Sequence, residues 1–95
     1  MVAYVISLVD VSKPDCYAEY VALAGPVVAR YGGRFLARGG ERRILEGNMD
    51  FSRVVVVEFP TMDAATQCYG SPEYLDARQK RLGAAAFHSL VIEGV

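Results

Sequence analysis

Ninety-five residues with a formal charge of -1, of which 53% are hydrophobic, 22% charged and 11% aromatic, describe one folded unit over 1–95, not two domains or a disordered segment. The near-neutral balance leaves no net field to draw the chain to nucleic acid or to anionic lipid, and two cysteines are too few for a disulfide scaffold. Residues 2–9 form the first predicted strand. Both alternating sets are apolar, with Val2, Tyr4, Ile6 and Leu8 on one and Ala3, Val5 and Val9 beside Ser7 on the other. That is the pattern of a strand covered on two sides. Ser12, Pro14 and Asp15 then supply a cap, a first-turn proline and an acid near the positive end of a helix dipole. Tyr17, Tyr20, Val21, Ala24, Val28 and Tyr31 recur at helical spacing and mark a core-facing stripe. Gly25-Pro26 predicts a kink or break, because proline lacks the donor and crowds the carbonyl one turn back. Gly32-Gly33 ends the helix through a left-handed cap.

Arg34–Arg38 reads as a strand, Gly39-Gly40 as a turn, and 41–46 as its hairpin partner or an irregular extension. Gly47-Asn48-Met49-Asp50 is a loop. Arg53–Phe59 is the strongest strand, because Val54, Val55, Val56 and Val57 are consecutive β-branched residues and both faces are again apolar; Pro60 stops it. Thr61 and Asp63 open a short helix through Tyr69, and Ser71-Pro72-Glu73 opens another to about Leu82, closed by Gly83. The last strand, 87–92, alternates Phe87, Ser89 and Val91 against His88, Leu90 and Ile92. The order βαββαβ predicts a ferredoxin-like α+β fold, an antiparallel sheet with helices on a single face. Helices hide one face only, yet the first and third strands are apolar on both. The chain is therefore expected to pair with itself through the sheet face, as a homodimeric α/β barrel.

Cys16 and Cys68 lack CxxC spacing and read as packing residues in a reducing compartment. The start Met-Val-Ala-Tyr has no basic region and no long apolar core, and no apolar run approaches the roughly 20 residues of a membrane helix. The expectation is a cytoplasmic protein without a membrane partner.

Four ordered motifs carry a resemblance: Gly32-Gly33-Arg34-Phe35-Leu36-Ala37-Arg38-Gly39-Gly40, Leu45-Glu46-Gly47, Val57-Glu58-Phe59-Pro60 and Tyr69-Gly70-Ser71-Pro72-Glu73-Tyr74. Over almost the whole chain the sequence resembles a bacterial family catalogued as domain of unknown function 1330. Cys68 stands where the family pattern leads one to expect an aromatic. The resemblance implies the dimeric α/β barrel superfamily, whose members include cofactor-independent monooxygenases, lactone isomerases, haem enzymes and ligand-binding regulators. It carries over no catalytic residue.

The residues themselves narrow the chemistry. A single histidine excludes multi-histidine metal sites, no GxSxG elbow is present, and no glycine pattern follows a strand in the phosphate-binding order. His88 is a conceivable haem ligand or acid/base group, but a lone histidine near a strand start is more often a hydrogen-bonded core residue. No cofactor is expected. Glu58 shares a strand face with Val54 and Val56, where a carboxylate needs a partner. Either an ion pair with Arg34, Arg38 or Arg78 fixes the sheet or dimer register, or desolvation makes Glu58 a general base. Tyr74 and Arg78, one helical turn apart, could join Arg38 in holding a carboxylate or enolate, although Ser71-Pro72-Glu73-Tyr74 is also a sufficient helix start. The expected site is thus a small-molecule cleft drawing on Arg38, Glu58, Tyr74, Arg78 and His88, for a small anionic or aromatic ligand and with acid/base chemistry in view. The competing expectation is a non-catalytic binding or interaction module whose polar residues only fix the dimer. A third reading, nucleic-acid binding through Arg34, Arg38, Arg42 and Arg43, is weaker, because strand-rim arginines more often cover apolar surface.

Overall fold

Strand alternation decides the layering. In a computed structural model describing residues 1–95, strand β1 (Ala3–Val11) buries Ala3, Val5, Ser7 and Val9 and leaves Tyr4, Ile6 and Leu8 part-exposed on the other side. Helix α1 (Pro14–Arg30) covers the first set with Tyr17, Tyr20, Ala24, Val27 and Val28. Strands β2 (Arg34–Arg38) and β3 (Arg53–Phe59), helices α2 (Met62–Tyr69) and α3 (Pro72–Arg78), and strand β4 (Ala85–Glu93) follow. The sheet is antiparallel with order β2-β3-β1-β4. This is the ferredoxin-like βαββαβ arrangement, with the second helical segment in two pieces.

All the helices lie on one side, over Phe59, Val9, Val57 and Cys68, which are fully enclosed. On the other side the register aligns Tyr4 with Glu58 and Ile92, Ile6 with Val56 and Leu90, and Leu8 with Val54 and His88. That face is largely hydrocarbon and uncovered: Leu90 is 58% and Ile92 53% exposed. No helix is long and apolar enough to cross a membrane.

Several local expectations change. Ser12 does not cap α1: its Oγ donates to the Ala84 carbonyl at 3.0 Å, while the Ser12 and Lys13 amides donate to the same oxygen at 2.8 and 3.0 Å, tying the helix start to the entrance of β4. Lys13 occupies the cap position with no side-chain hydrogen bond. Nor does Pro26 end the helix. Pro26 and Ala22, one turn earlier, both face water, so the carbonyl that proline deprives of a donor can be hydrated. Of the two readings of residues 41–46 the irregular extension holds and the hairpin strand does not: they belong to an exposed loop pinned by Arg42 Nη1 donating to the Ser52 carbonyl at 2.9 Å. Helix α3 stops at Arg78, short of Leu82, because the next amides bond three residues back: Gln79 to Asp76, Lys80 to Ala77, Arg81 to Arg78. Such tight winding stacks residue i over i+3 and so sets Arg81 on the side of Arg78.

Two backbone features position the site. The pairing of β2 with β3 slips between Phe35 and Ala37, so Phe35 opposes Val57 while Arg38 opposes Val55. Residues three apart on a regular strand face opposite ways; the bulge puts Phe35 and Arg38 on the same, helix-covered side. At the α1 terminus Gly32 adopts φ +85°, and Gly33 lets β2 pass close to the core. A Cβ on Gly33 would lie 2.5 Å from Val28 Cγ1 and 2.8 Å from Phe59 Cε1. Gly33→Ala is therefore expected to cost about 1–3 kcal/mol by overpacking and to lower the calorimetric Tm by at least about 5 °C. An unchanged Tm would contradict this close approach.

Candidate functional site

Between α1 and the sheet lies a small, partly open cavity of about 30 Å³, room for about two water molecules. Tyr17 and Tyr20 reach it from α1, Tyr69 from α2, Ser7 and Phe87 from β1 and β4, and Phe35, Arg38 and Arg53 from β2 and β3. Strand phase explains Arg53: it shares the parity of Val55, Val57 and Phe59 and so points at the helices. Its guanidinium packs against Gly39, which adopts φ +73° and where any Cβ would collide with it, and stands 5.5 Å from the Tyr17 ring centroid. Arg38 lies 4.0 Å above the Phe35 ring, with Nη2 beside Gly25 of α1. No carboxylate and no imidazole lines this cavity.

A second space opens at the free edge of β4. It is a cleft of about 460 Å³ bordered by Tyr69, Tyr74, Arg78, Arg81, Phe87, His88 and Ser89. Between the two spaces, Tyr20 Oη and Tyr74 Oη share a hydrogen bond of 2.8 Å, and Arg81 Nη2 donates to Tyr74 Oη at 3.5 Å. Arg81 is only 9% exposed, sandwiched 3.7 Å from the Phe87 ring centroid and 5.2 Å from that of Tyr20. The chain has two buried side-chain polar atoms without a partner, Arg53 Nε and Arg81 Nε.

The residues singled out from sequence do not meet in one cleft. Tyr74, Arg78 and His88 border the edge cleft, and Arg38 lines the cavity. Tyr74 is buried, its hydroxyl engaged by Tyr20. Glu58 sits on the uncovered sheet face, where Arg34 Nη2 donates to its Oε1 at 3.0 Å; neither Arg38 nor Arg78 pairs with it. The His88 ring packs edge-on against Phe51 at 5.5 Å. Arg53 and Arg81 were not anticipated. For Arg53 the signal was present, a cation in phase with three core positions of one strand. For Arg81 none was, because its inward turn depends on the tight winding after α3.

The electrostatics of the aromatic wall are one-sided. Burial raises the phenols of Tyr20, Tyr69 and Tyr17 above the ordinary 10.0, with Tyr74 adding to the rise at each and nearby arginines opposing it. All three are neutral donors at physiological pH. Cys68 is pushed up to about 11 by burial and, secondarily, by the charge of Glu73, so it is an unreactive packing thiol. No group of three or more His, Cys, Asp or Glu side chains converges that would hold a metal ion.

The chain matches the family described as Domain of unknown function (DUF1330) over residues 2–95. It belongs to that family. No curated protein matches significantly. Solved structures with this fold include a protein of unknown function from Rhodopseudomonas palustris, with TM-score 0.80 and 23% identity over 99% of this chain and 82% of that one. A dimeric ferredoxin-like protein of unknown function from Jannaschia sp. CCS1 gives TM-score 0.79 and 12% identity over 99% of this chain and 100% of that one. SnoaB, a cofactor-independent oxygenase from Streptomyces nogalater, gives TM-score 0.72 and 16% identity over 99% and 93%. At these identities the likeness is one of fold.

Because the unfolded chain releases its phenolic protons near the ordinary value of 10.0, before the folded chain does, the stability held by these tyrosines is complete below that pH and is lost as pH rises beyond it. Tm followed by circular dichroism should fall steadily above about pH 10, in step with the phenolate absorbance. A Tm that stays level there would show that these tyrosines ionise as freely folded as unfolded.

Proposed function

We propose that the protein is a homodimer that binds a small planar anion, of carboxylate, phenolate or enolate type, in the cavity between α1 and the sheet of each subunit. The observation that carries this reading is Arg53, a cation whose Nε is buried without a partner at a cavity lined by aromatic rings and free of carboxylates. A buried donor without an acceptor costs free energy, and an anionic ligand would supply the acceptor. The rings offer stacking faces and the phenols offer protons to an oxyanion.

Entry requires movement, since the cavity as it stands is water-sized. Arg38, which lines the cavity, is free to move: it is held by a stacking contact worth about 0.5–1 kcal/mol at an exposed position and by no ion pair. A pocket lined by cations and no carboxylate favours the ionised form of a ligand whose acidic proton is lost to water or to a co-reactant. That is a route to chemistry without a cofactor, and SnoaB lends support as an oxygenase of this fold that works without one. Glu58 and His88, on the other face, belong in this reading to the dimer seam, where the Arg34–Glu58 pair helps to set register.

The dimer rests on the uncovered apolar face and on the loop at 39–52, whose Leu45 is 97% exposed. Dimeric relatives of the same fold support it. Val56→Asp, at the centre of that face, should abolish the dimer in light scattering, leaving monomer or aggregate; a variant that stays dimeric would exclude this seam. For the cavity, 4-nitrophenol is a suitable probe because its colour reports its charge. Bound protein should lower its apparent pKa by on the order of one, and Arg53→Met, with its fold checked by circular dichroism, should remove the effect. No change of pKa with the wild-type chain would end the anion-cavity reading.

A further inference from the structure

We propose that the cleft at the free edge of β4 is a second, separate oxyanion site, built on Arg81 and Arg78, that takes the carboxylate or phosphate group of a small molecule. Arg81 is an unusual cation. It is nine-tenths buried, held between the Phe87 and Tyr20 rings, contacted by no carboxylate, and its Nε has no partner. Nearly every buried polar group in a folded protein is hydrogen-bonded, so an orphan donor beside a cleft marks the place of an absent acceptor.

The surroundings fit an anion. Arg78 stands on the same side, one tight turn before Arg81, and has no ion pair. Ser89 borders the cleft, and β4 is an outer strand whose outward main-chain groups have no strand partner. The acids of α3 lie elsewhere: Glu73 pairs with Arg30 and Tyr31, and Asp76 borders the groove against α1. Charge is thus sorted across one short helix, negative toward α1 and positive toward β4. The cleft, about 460 Å³, is wide and open, so a small anion seated at its arginines would keep part of its surface in water. The site does not depend on the cavity reading, because Arg53 and Arg38 are not part of it.

The test is a titration of the wild-type chain at low ionic strength with inorganic phosphate in one arm and acetate in the other, following the arginine Nε–H resonances by NMR. Saturable movement of the Arg81 resonance is expected with at least one anion, and the arm that saturates first tells whether a tetrahedral phosphate or a planar carboxylate is preferred. Arg78→Ala, at an exposed position that folding does not need, should weaken that binding about tenfold, as loss of a charge-assisted contact does. Arg53→Met distinguishes the two sites: the Arg81 response persists if the edge cleft is separate. The proposal is overturned if neither anion moves Arg81 saturably, if Arg78→Ala binds as the wild type does, or if Arg53→Met abolishes the response.

Discussion

A sheet whose central strands are apolar on both sides, with helices enough for only one of them, is the constraint from which the rest follows. Strand parity sorts β1 and β3 into two sets, and the helix-covered set builds a core in which Phe59, Val9, Val57 and Cys68 see no water. The same parity carries Arg53 inward with the core and Glu58 outward with Val54 and Val56. A polar residue on a strand has its destination decided by the odd or even count from its neighbours, whatever desolvation its charge then meets.

Under the helices, the unusual property is the imbalance between donors and acceptors. Three phenols held in their protonated form and two guanidinium groups, each with an orphan nitrogen, converge on two adjoining spaces with no acid between them. Structural arginines are normally matched by carboxylates or carbonyls, and Arg34, Arg42 and Arg30 elsewhere in this chain are. Arg53 and Arg81 instead rest on aromatic rings, a support that leaves the Nε of each without an acceptor.

Much of the architecture was legible in the residue pattern. The four valines, the helical tyrosine stripe and the Ser71-Pro72-Glu73 start each located an element, and β2 and β3 begin and end where their composition places them. The site was less legible, for identifiable reasons. Period-two counting groups Arg53 with Val55, Val57 and Phe59, but with both faces of the strand apolar it does not say which set the helices cover. Arg38 depends on a register slip that leaves no compositional trace, and Arg81 on a change of helical winding beyond the last regular turn. Ser12 shows the same limit on a smaller scale: a good capping residue was claimed by a carbonyl more than seventy positions away.

The slip between Phe35 and Ala37 bears on how such a protein would diversify. The extra residue lets Phe35 and Arg38, three positions apart, share one side of the sheet, so that the Arg38 guanidinium reaches the helix-covered side. Straightening the pairing with the same number of residues would turn Arg38 to the opposite surface, whereas removing Leu36 would leave Arg38 opposite Val55. A shift of one place at the sheet margin thus changes which outer-strand side chains lie under the helices while the inner strands keep their pairing.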